Sequence, residues 1–200
     1  MSEPQIIAHR INKIADLKKI PQNFGVEIDL RAHNDRIIIT HDPFDYQGAE
    51  DFEDYLAAYK HQTLILNIKS ERIELKILHL LKKYHIENYF FLDCSFPMIW
   101  ALVNQGENNI ALRFSEFEGY DTIFNLVDKI RWVWIDCFTK LPINKEIYDK
   151  FRSHNLKLCL VSPELQNQDH KLEDYKALLG KEQIHLDAIC TKIYNAPRWI

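Results

Sequence analysis

Apolar residues along the chain fall in short runs, each bounded by polar or turn-forming residues and separated by stretches with a helical period. The runs cover 5–8, 24–31, 64–69, 89–92, 110–112, 132–135, 156–161 and 188–191. Short runs rich in Ile, Leu and Val read as strands buried on both faces, the signature of a parallel sheet covered by helices. Helical stretches are predicted at 15–20, 51–59, 98–103, 121–127 and 145–154. A longer helix follows Ser70, its predicted cap, with an apolar stripe at Ile73, Ile77, Leu80 and Leu81. Another covers 172–179 and is predicted to stop at Gly180. One extra run, 37–40, follows a turn at Asn34-Asp35 and predicts a return strand that carries His41-Asp42 back toward 24–31.

Eight strand-like runs alternating with helices at roughly 20–30-residue intervals predict an α/β fold, the (β/α)8 TIM barrel, with residues 1–200 as one domain. Such barrels typically need about 250 residues. A chain of 200 therefore implies short loops and a last helix truncated or missing. The competing open doubly wound sheet would carry a glycine-rich turn after its first strand, and His9-Arg10-Ile11-Asn12 has no glycine.

Composition narrows the partners. The formal charge is −4 and the 25 basic residues are dispersed, which gives no nucleic-acid footprint. No apolar run approaches the ~20 residues of a transmembrane helix, and the N-terminus lacks a signal-peptide pattern, so a cytoplasmic location is expected. The four cysteines, Cys94, Cys137, Cys159 and Cys190, lie in or beside apolar runs and are expected as free, buried thiols. No His-x-x-x-His or Cys-x-x-Cys spacing points to zinc.

In a barrel the functional groups gather where the strands end. The strand ends supply His9, Arg10, Glu27, Asp29, Arg31, Asn67, Lys69, Asp93, Arg113 and Asp136, with His41 arriving from the hairpin. Glu27 and Asp29 are two apart on one strand and share a face. Burying two like charges together costs several kcal/mol unless a cation or hydrogen-bond donors offset them. An anionic substrate held beside an oxygen-liganded cation, Mg²⁺ or Ca²⁺, fits this set.

The succession His9-Arg10, Glu27-Ile28-Asp29, His41-Asp42 and Asn67-Ile68-Lys69 resembles the glycerophosphodiester phosphodiesterase family, and Ser95-Phe96 is similar to its Ser-Phe after the fourth strand. The resemblance covers roughly residues 6–69. It implies a (β/α)8 barrel and metal-assisted cleavage of a small glycerophospho- or sugar-phosphodiester. His9 and His41 would be the acid/base pair, with Glu27, Asp29 and Asn67 as metal ligands. Arg10 and Lys69 would neutralise phosphate charge, with Arg113 as a further phosphate-binding candidate. Which histidine is acid and which base is not in the sequence, nor is the oligomeric state. This chain departs from the family at Ile11, where a glycine is usual, at Pro21-Gln22-Asn23, where a Glu-Asn-Thr stretch is usual, and at Asn67, in place of a third carboxylate. These departures motivate the other reading, a catalytically weakened barrel that binds a phosphorylated ligand or a partner protein.

Overall fold

The protein is described by a computed structural model covering residues 3–200. The chain begins with β1 (Gln5–Ala8), α1 (Ile14–Leu17), β2 (Gly25–His33), β3 (Arg36–Ile39), β4 (Glu50–Asp51) and α2 (Phe52–Ala58). It continues with β5 (Leu64–Ile68), α3 (Glu74–Lys83), β6 (Tyr89–Leu92), α4 (Phe96–Val103), β7 (Ala111–Phe114) and α5 (Asp121–Asn125). It ends with β8 (Trp132–Ile135), α6 (Lys145–Ser153), β9 (Lys157–Val161), α7 (Leu172–Lys181), β10 (Ala188–Thr191) and α8 (Ala196–Trp199). After β10 the described residues form only one α-helix, the four-residue α8.

Eight of these strands are parallel and follow one another around a barrel. Ladders join β1 to β2, β2 to β5 and β5 to β6, then β7 to β8, β8 to β9, β9 to β10 and β10 back to β1. Between β6 and β7 the ladder is open, and a single parallel bridge between Phe91 and Ile110 spans it, with Phe91 N–H donating to Asn109 O at 2.8 Å. The predicted return strand is β3, which pairs antiparallel with β2, and β4 extends that hairpin. Alternation along each strand divides the apolar residues into two cores. Ile7, Ile65, Phe90, Trp132 and Trp134 fill the barrel, while a larger cluster including Ile28, Leu66, Phe91, Val133 and Leu158 packs the strands against the helices. Cys137, Cys159 and Cys190 are buried, Cys94 is half-buried, and all four are free thiols.

Two helix ends differ from expectation, each for a local reason. Ser70 does not cap α3: Arg72 adopts a left-handed backbone, φ 68, and the helix starts only at Glu74. Gly180 does not end α7, which continues to Lys181 and closes with Gln183 at φ 53 and Ile184 N–H donating to Leu179 O at 2.9 Å. That closure buries Ile184 near Leu179, and the apolar contact sets the helix end in preference to the glycine. α3 and α6 end in the same way at His85 and Asn155.

Gly25 is required by packing at the start of β2. A Cβ there would lie 2.4 Å from Ile7 Cδ1 and 2.5 Å from Thr63 O, the latter a backbone atom that cannot rotate away. Gly25→Ala is expected to destabilise the fold by about 1–3 kcal/mol or more, measurable as a lower urea midpoint at unchanged slope. A midpoint equal to that of the parent would show that β1 and β5 can separate to admit a methyl group.

Candidate active site

Because the eight barrel strands run the same way, their C-terminal ends open on one face. Inward-facing positions on β2 bring Glu27 and Asp29 to this mouth, both fully buried, and Asn67 on β5 stands in register with Asp29. The local environment answers the two charges group by group. Arg10 sits at φ 56 immediately after β1, and this turn aims its backbone N–H at Glu27 Oε2, 2.7 Å away. Asn67 Nδ2 donates to Glu27 Oε1 at 2.9 Å. Asp29 Oδ2 accepts from Asn12 Nδ2 at 2.9 Å, and its own N–H donates to Asn12 Oδ1 at 3.1 Å. Two cations complete the offset: Arg10 Nε lies 3.6 Å from Asp29 Oδ2 and Lys69 Nζ 3.7 Å from Asp29 Oδ1.

His9 leaves β1 beside the pair, with Nε2 3.9 Å from Glu27 Oε2 and Nδ1 3.0 Å from Lys192 Nζ. An ammonium can only donate, so Nδ1 accepts and the neutral ring carries its proton on Nε2. Burial, then the charges of Lys192, Arg10, His41 and Lys69, lower the His9 pKa to about 3. His41 is more exposed and bonds through Nδ1 to Asp42 Oδ1 at 2.7 Å, which leaves Nε2 as its lone-pair face if Nδ1 carries the proton. Arg31 fixes where this loop sits: its guanidinium donates to His41 O at 2.7 and 3.1 Å and to Lys69 O at 2.9 Å. Asn12 and Lys192 therefore shape the site although neither is among the strand-end candidates of the sequence, whereas Arg31 is one of them. Lys192 was legible by the same rule as the others, since it directly follows the last strand.

Arg113 lies on the far side of the mouth and is engaged by acids. Its Nε and Nη2 donate to Asp93 at 2.7 and 2.9 Å, and its Nη1 donates to Asp136 at 2.6 Å. Lys69 Nζ is 3.5 Å from Asp93 Oδ2, so the two halves of the mouth are continuous. Gln166 Nε2 donates to Asp136 Oδ1 at 2.8 Å and ties in the loop after β9.

Among the described residues no group of three or more His, Cys, Asp or Glu side chains is placed to hold a metal ion. The candidate set here has two carboxylates and one amide. Asp29 Oδ1 and Asn67 Oδ1 are buried without a hydrogen-bond partner, so two oxygens at this spot keep lone pairs to offer. An all-oxygen set of this kind fits a hard cation such as Mg²⁺ or Ca²⁺. Burial, reinforced by the Asp29 charge, raises the Glu27 pKa to about 7. A carboxyl whose folded pKa is raised contributes stability below its unfolded pKa and loses it as pH climbs through the folded value. Urea stability should therefore fall between about pH 4.5 and 7 in the parent protein and stay flatter in Glu27→Gln. Saturating Mg²⁺ or Ca²⁺ should flatten or reverse this fall if Glu27 binds the ion, because the cation lowers the folded pKa toward the unfolded one, and an unchanged profile would remove Glu27 from the ligand set.

The fold and mouth define a (β/α)8 barrel with a buried acid pair beside His9. No family model matches the sequence, and neither does any curated protein. Solved structures do match. A glycerophosphodiester phosphodiesterase from Agrobacterium tumefaciens superposes with a TM-score of 0.69 at 14% identity, over 94% of this chain and 96% of that one. A phosphodiesterase from Oleispira antarctica, solved with the product sn-glycerol-3-phosphate, gives 0.62 at 15% identity over 94% and 92%. A further A. tumefaciens structure assigned as a glycerophosphoryl diester phosphodiesterase gives 0.67 at 13% over 95% and 94%. The chain thus has the barrel fold of glycerophosphodiester phosphodiesterases across nearly its whole length.

Proposed function

We propose that this protein is a phosphodiester hydrolase that cleaves a glycerophospho- or sugar-phosphodiester by histidine acid/base chemistry. The supporting observation is His9 beside the buried Glu27, with the His41 loop tied to β2 by Arg31, in a barrel shared with three phosphodiesterase structures. His41, oriented by Asp42 and held in place by Arg31, is suited to take a proton from the attacking oxygen, either water or a hydroxyl of the substrate itself. His9, with Nε2–H beside Glu27, is suited to protonate the leaving oxygen. Burial first, and then the charges of Lys192 and Arg10, keep His9 neutral, so as Nε2 gives its proton to the leaving oxygen Nδ1 takes one from the Lys192 ammonium 3.0 Å away and no imidazolate forms. One proton leaves the nucleophile and one reaches the leaving group as the new P–O bond replaces the old.

Lys69 and Arg10 offset phosphoryl charge, and Arg113, its donors already shared by Asp93 and Asp136, adds positive potential from the far side. Glu27, Asp29 and Asn67 would hold a divalent cation, which supplies Lewis-acid polarisation of a phosphoryl oxygen when bound. With a neutral amide at Asn67 in place of a third carboxylate, the ion is held weakly and is expected to exchange. Free, mostly buried thiols suit the reducing cytoplasm.

Purified protein should release alcohol from glycerophosphodiesters in the presence of Mg²⁺, Mn²⁺ or Ca²⁺, and chelation should slow it. If a broad diester panel shows no turnover while a phosphate ester still binds, the barrel is a phosphate-binding module and the hydrolase reading is lost.

A further inference from the structure

Among the described residues ten large apolar side chains are exposed, and six of them lie on loops at the mouth end of the barrel. Phe44 lies in the loop after β3, Phe96 opens α4 after β6, Phe117 follows β7, Phe138 follows β8, and Ile193 and Tyr194 follow β10. Their exposure is extreme, at 87% for Phe44, 73% for Phe117 and 71% for Tyr194. The Lys13 ammonium bonds Gly48 O and anchors the Phe44 loop to the turn after β1, on the same face. Phe44 is also held at φ 67, a backbone conformation unfavourable for a phenylalanine, with its ring in solvent and no burial to offset it. The Phe117 and Phe138 rings lie 6.1 Å apart across two neighbouring loops and form one patch.

The centre of this ring is the opposite in character, with Glu27, Asp29, Lys69 and Arg113 lining it. A soluble diester that filled the centre would leave the rim in water. Phenyl rings offer no hydrogen bonds, so what covers them is apolar. The arrangement is a collar around a polar pit, which matches a lipid–water interface: head groups reach the pit while the collar enters the acyl boundary. Charge identifies the kind of surface. The exposed cations on the loops of this face, Arg10, Lys13, Arg72 and Lys140, are balanced by the exposed acids Asp42, Asp45, Glu71 and Asp169, which suits a zwitterionic surface over a strongly anionic one.

We infer that the barrel mouth docks on a zwitterionic lipid–water interface through Phe44, Phe96, Phe117, Phe138, Ile193 and Tyr194, and takes an acyl-bearing phosphodiester from it. The substrate part of this inference rests on the hydrolase reading; the docking part does not.

The test compares the full chain with the triple variant Phe44→Ser/Phe117→Ser/Phe138→Ser, both verified as folded by circular dichroism. Cosedimentation with phosphatidylcholine vesicles should bind the parent about tenfold or more better than the variant. Turnover of micellar lysophosphatidylcholine should fall by a similar factor in the variant, with turnover of water-soluble glycerophosphocholine unchanged. Vesicle binding that depends on the three rings, with neither diester hydrolysed, supports docking and overturns the acyl-bearing substrate together with the hydrolase reading. Hydrolysis of the soluble diester by a parent that ignores vesicles overturns the inference and leaves the hydrolase reading intact. Equal sedimentation of parent and variant overturns it as well. So does concentration-dependent dimerisation that the variant abolishes in a parent that ignores vesicles, because the collar then covers a second copy of the chain.

Discussion

His41→Ala is expected to lower kcat for phosphodiester turnover by about 10²–10⁴-fold, with a smaller effect on KM, because a positioned base acts mainly in the transition state. The side chain is half in solvent and its Nδ1 pairs with Asp42, so its removal leaves no buried charge behind and the fold should survive. His9→Ala should cost a similar factor in kcat, for a different reason. It removes the Nε2–H beside Glu27 that serves as the proposed acid and releases the Lys192 ammonium from its acceptor. The two losses should not add, since acid and base serve one displacement. A substrate with an activated leaving group, such as a nitrophenyl diester, separates the roles. It should restore much of the His9→Ala rate and little of the His41→Ala rate, because a good leaving group departs without a proton. If both variants turn over natural diesters at the parent rate, the histidines are bystanders and the chemistry lies elsewhere in the mouth.

Arg113→Met is expected to lower folding stability by about 3–5 kcal/mol, the size of loss seen when one partner of a largely buried ion pair is removed. The guanidinium carries three short bonds to two carboxylates, and its side chain is 28% exposed, which favours the lower end of that range. The cost comes from leaving Asp93 and Asp136 facing each other without a shared cation. The pH dependence follows from Asp93. Burial alone would raise its pKa, but the Arg113 hydrogen bonds and charge, assisted by Lys69, outweigh burial and the net shift is downward. A carboxylate with a lowered folded pKa contributes stability that is present above its unfolded pKa and lost as pH falls through the folded one. The parent should therefore lose this stabilisation below about pH 4. Arg113→Met should have lost it already at neutral pH, so the gap between the two proteins should narrow on acidification. Urea titrations at pH 7 and pH 3.5 measure this, and a constant gap would assign the loss to packing of the Arg113 stem.

Much of this protein was legible before folding. The eight runs became the eight barrel strands nearly to the residue, because a strand buried on both faces is mostly apolar, with polar groups only where it reaches the mouth, and can hardly hide in the sequence. Glu27, Asp29, Asn67 and Lys69 were placed on shared faces by alternation, and they do meet at the mouth. Helix ends were read less well. At Ser70 and Gly180 a residue of good capping type was overruled by a left-handed residue further on and by apolar closure, which depends on the surface the helix packs against.

The sequence by itself determined the βα rhythm and which polar residues leave the strands toward one face. These follow from periods of two and 3.6 residues, which act over neighbouring positions. Tertiary structure decided how those polar groups are shared. It paired Lys192 with His9 across nearly the whole chain, joined Asn12 to Asp29, committed Arg113 to Asp93 and Asp136, and brought Phe117 and Phe138 from separate loops into one patch. Such pairings depend on which strand ends lie side by side once the barrel has closed, and no local period encodes that.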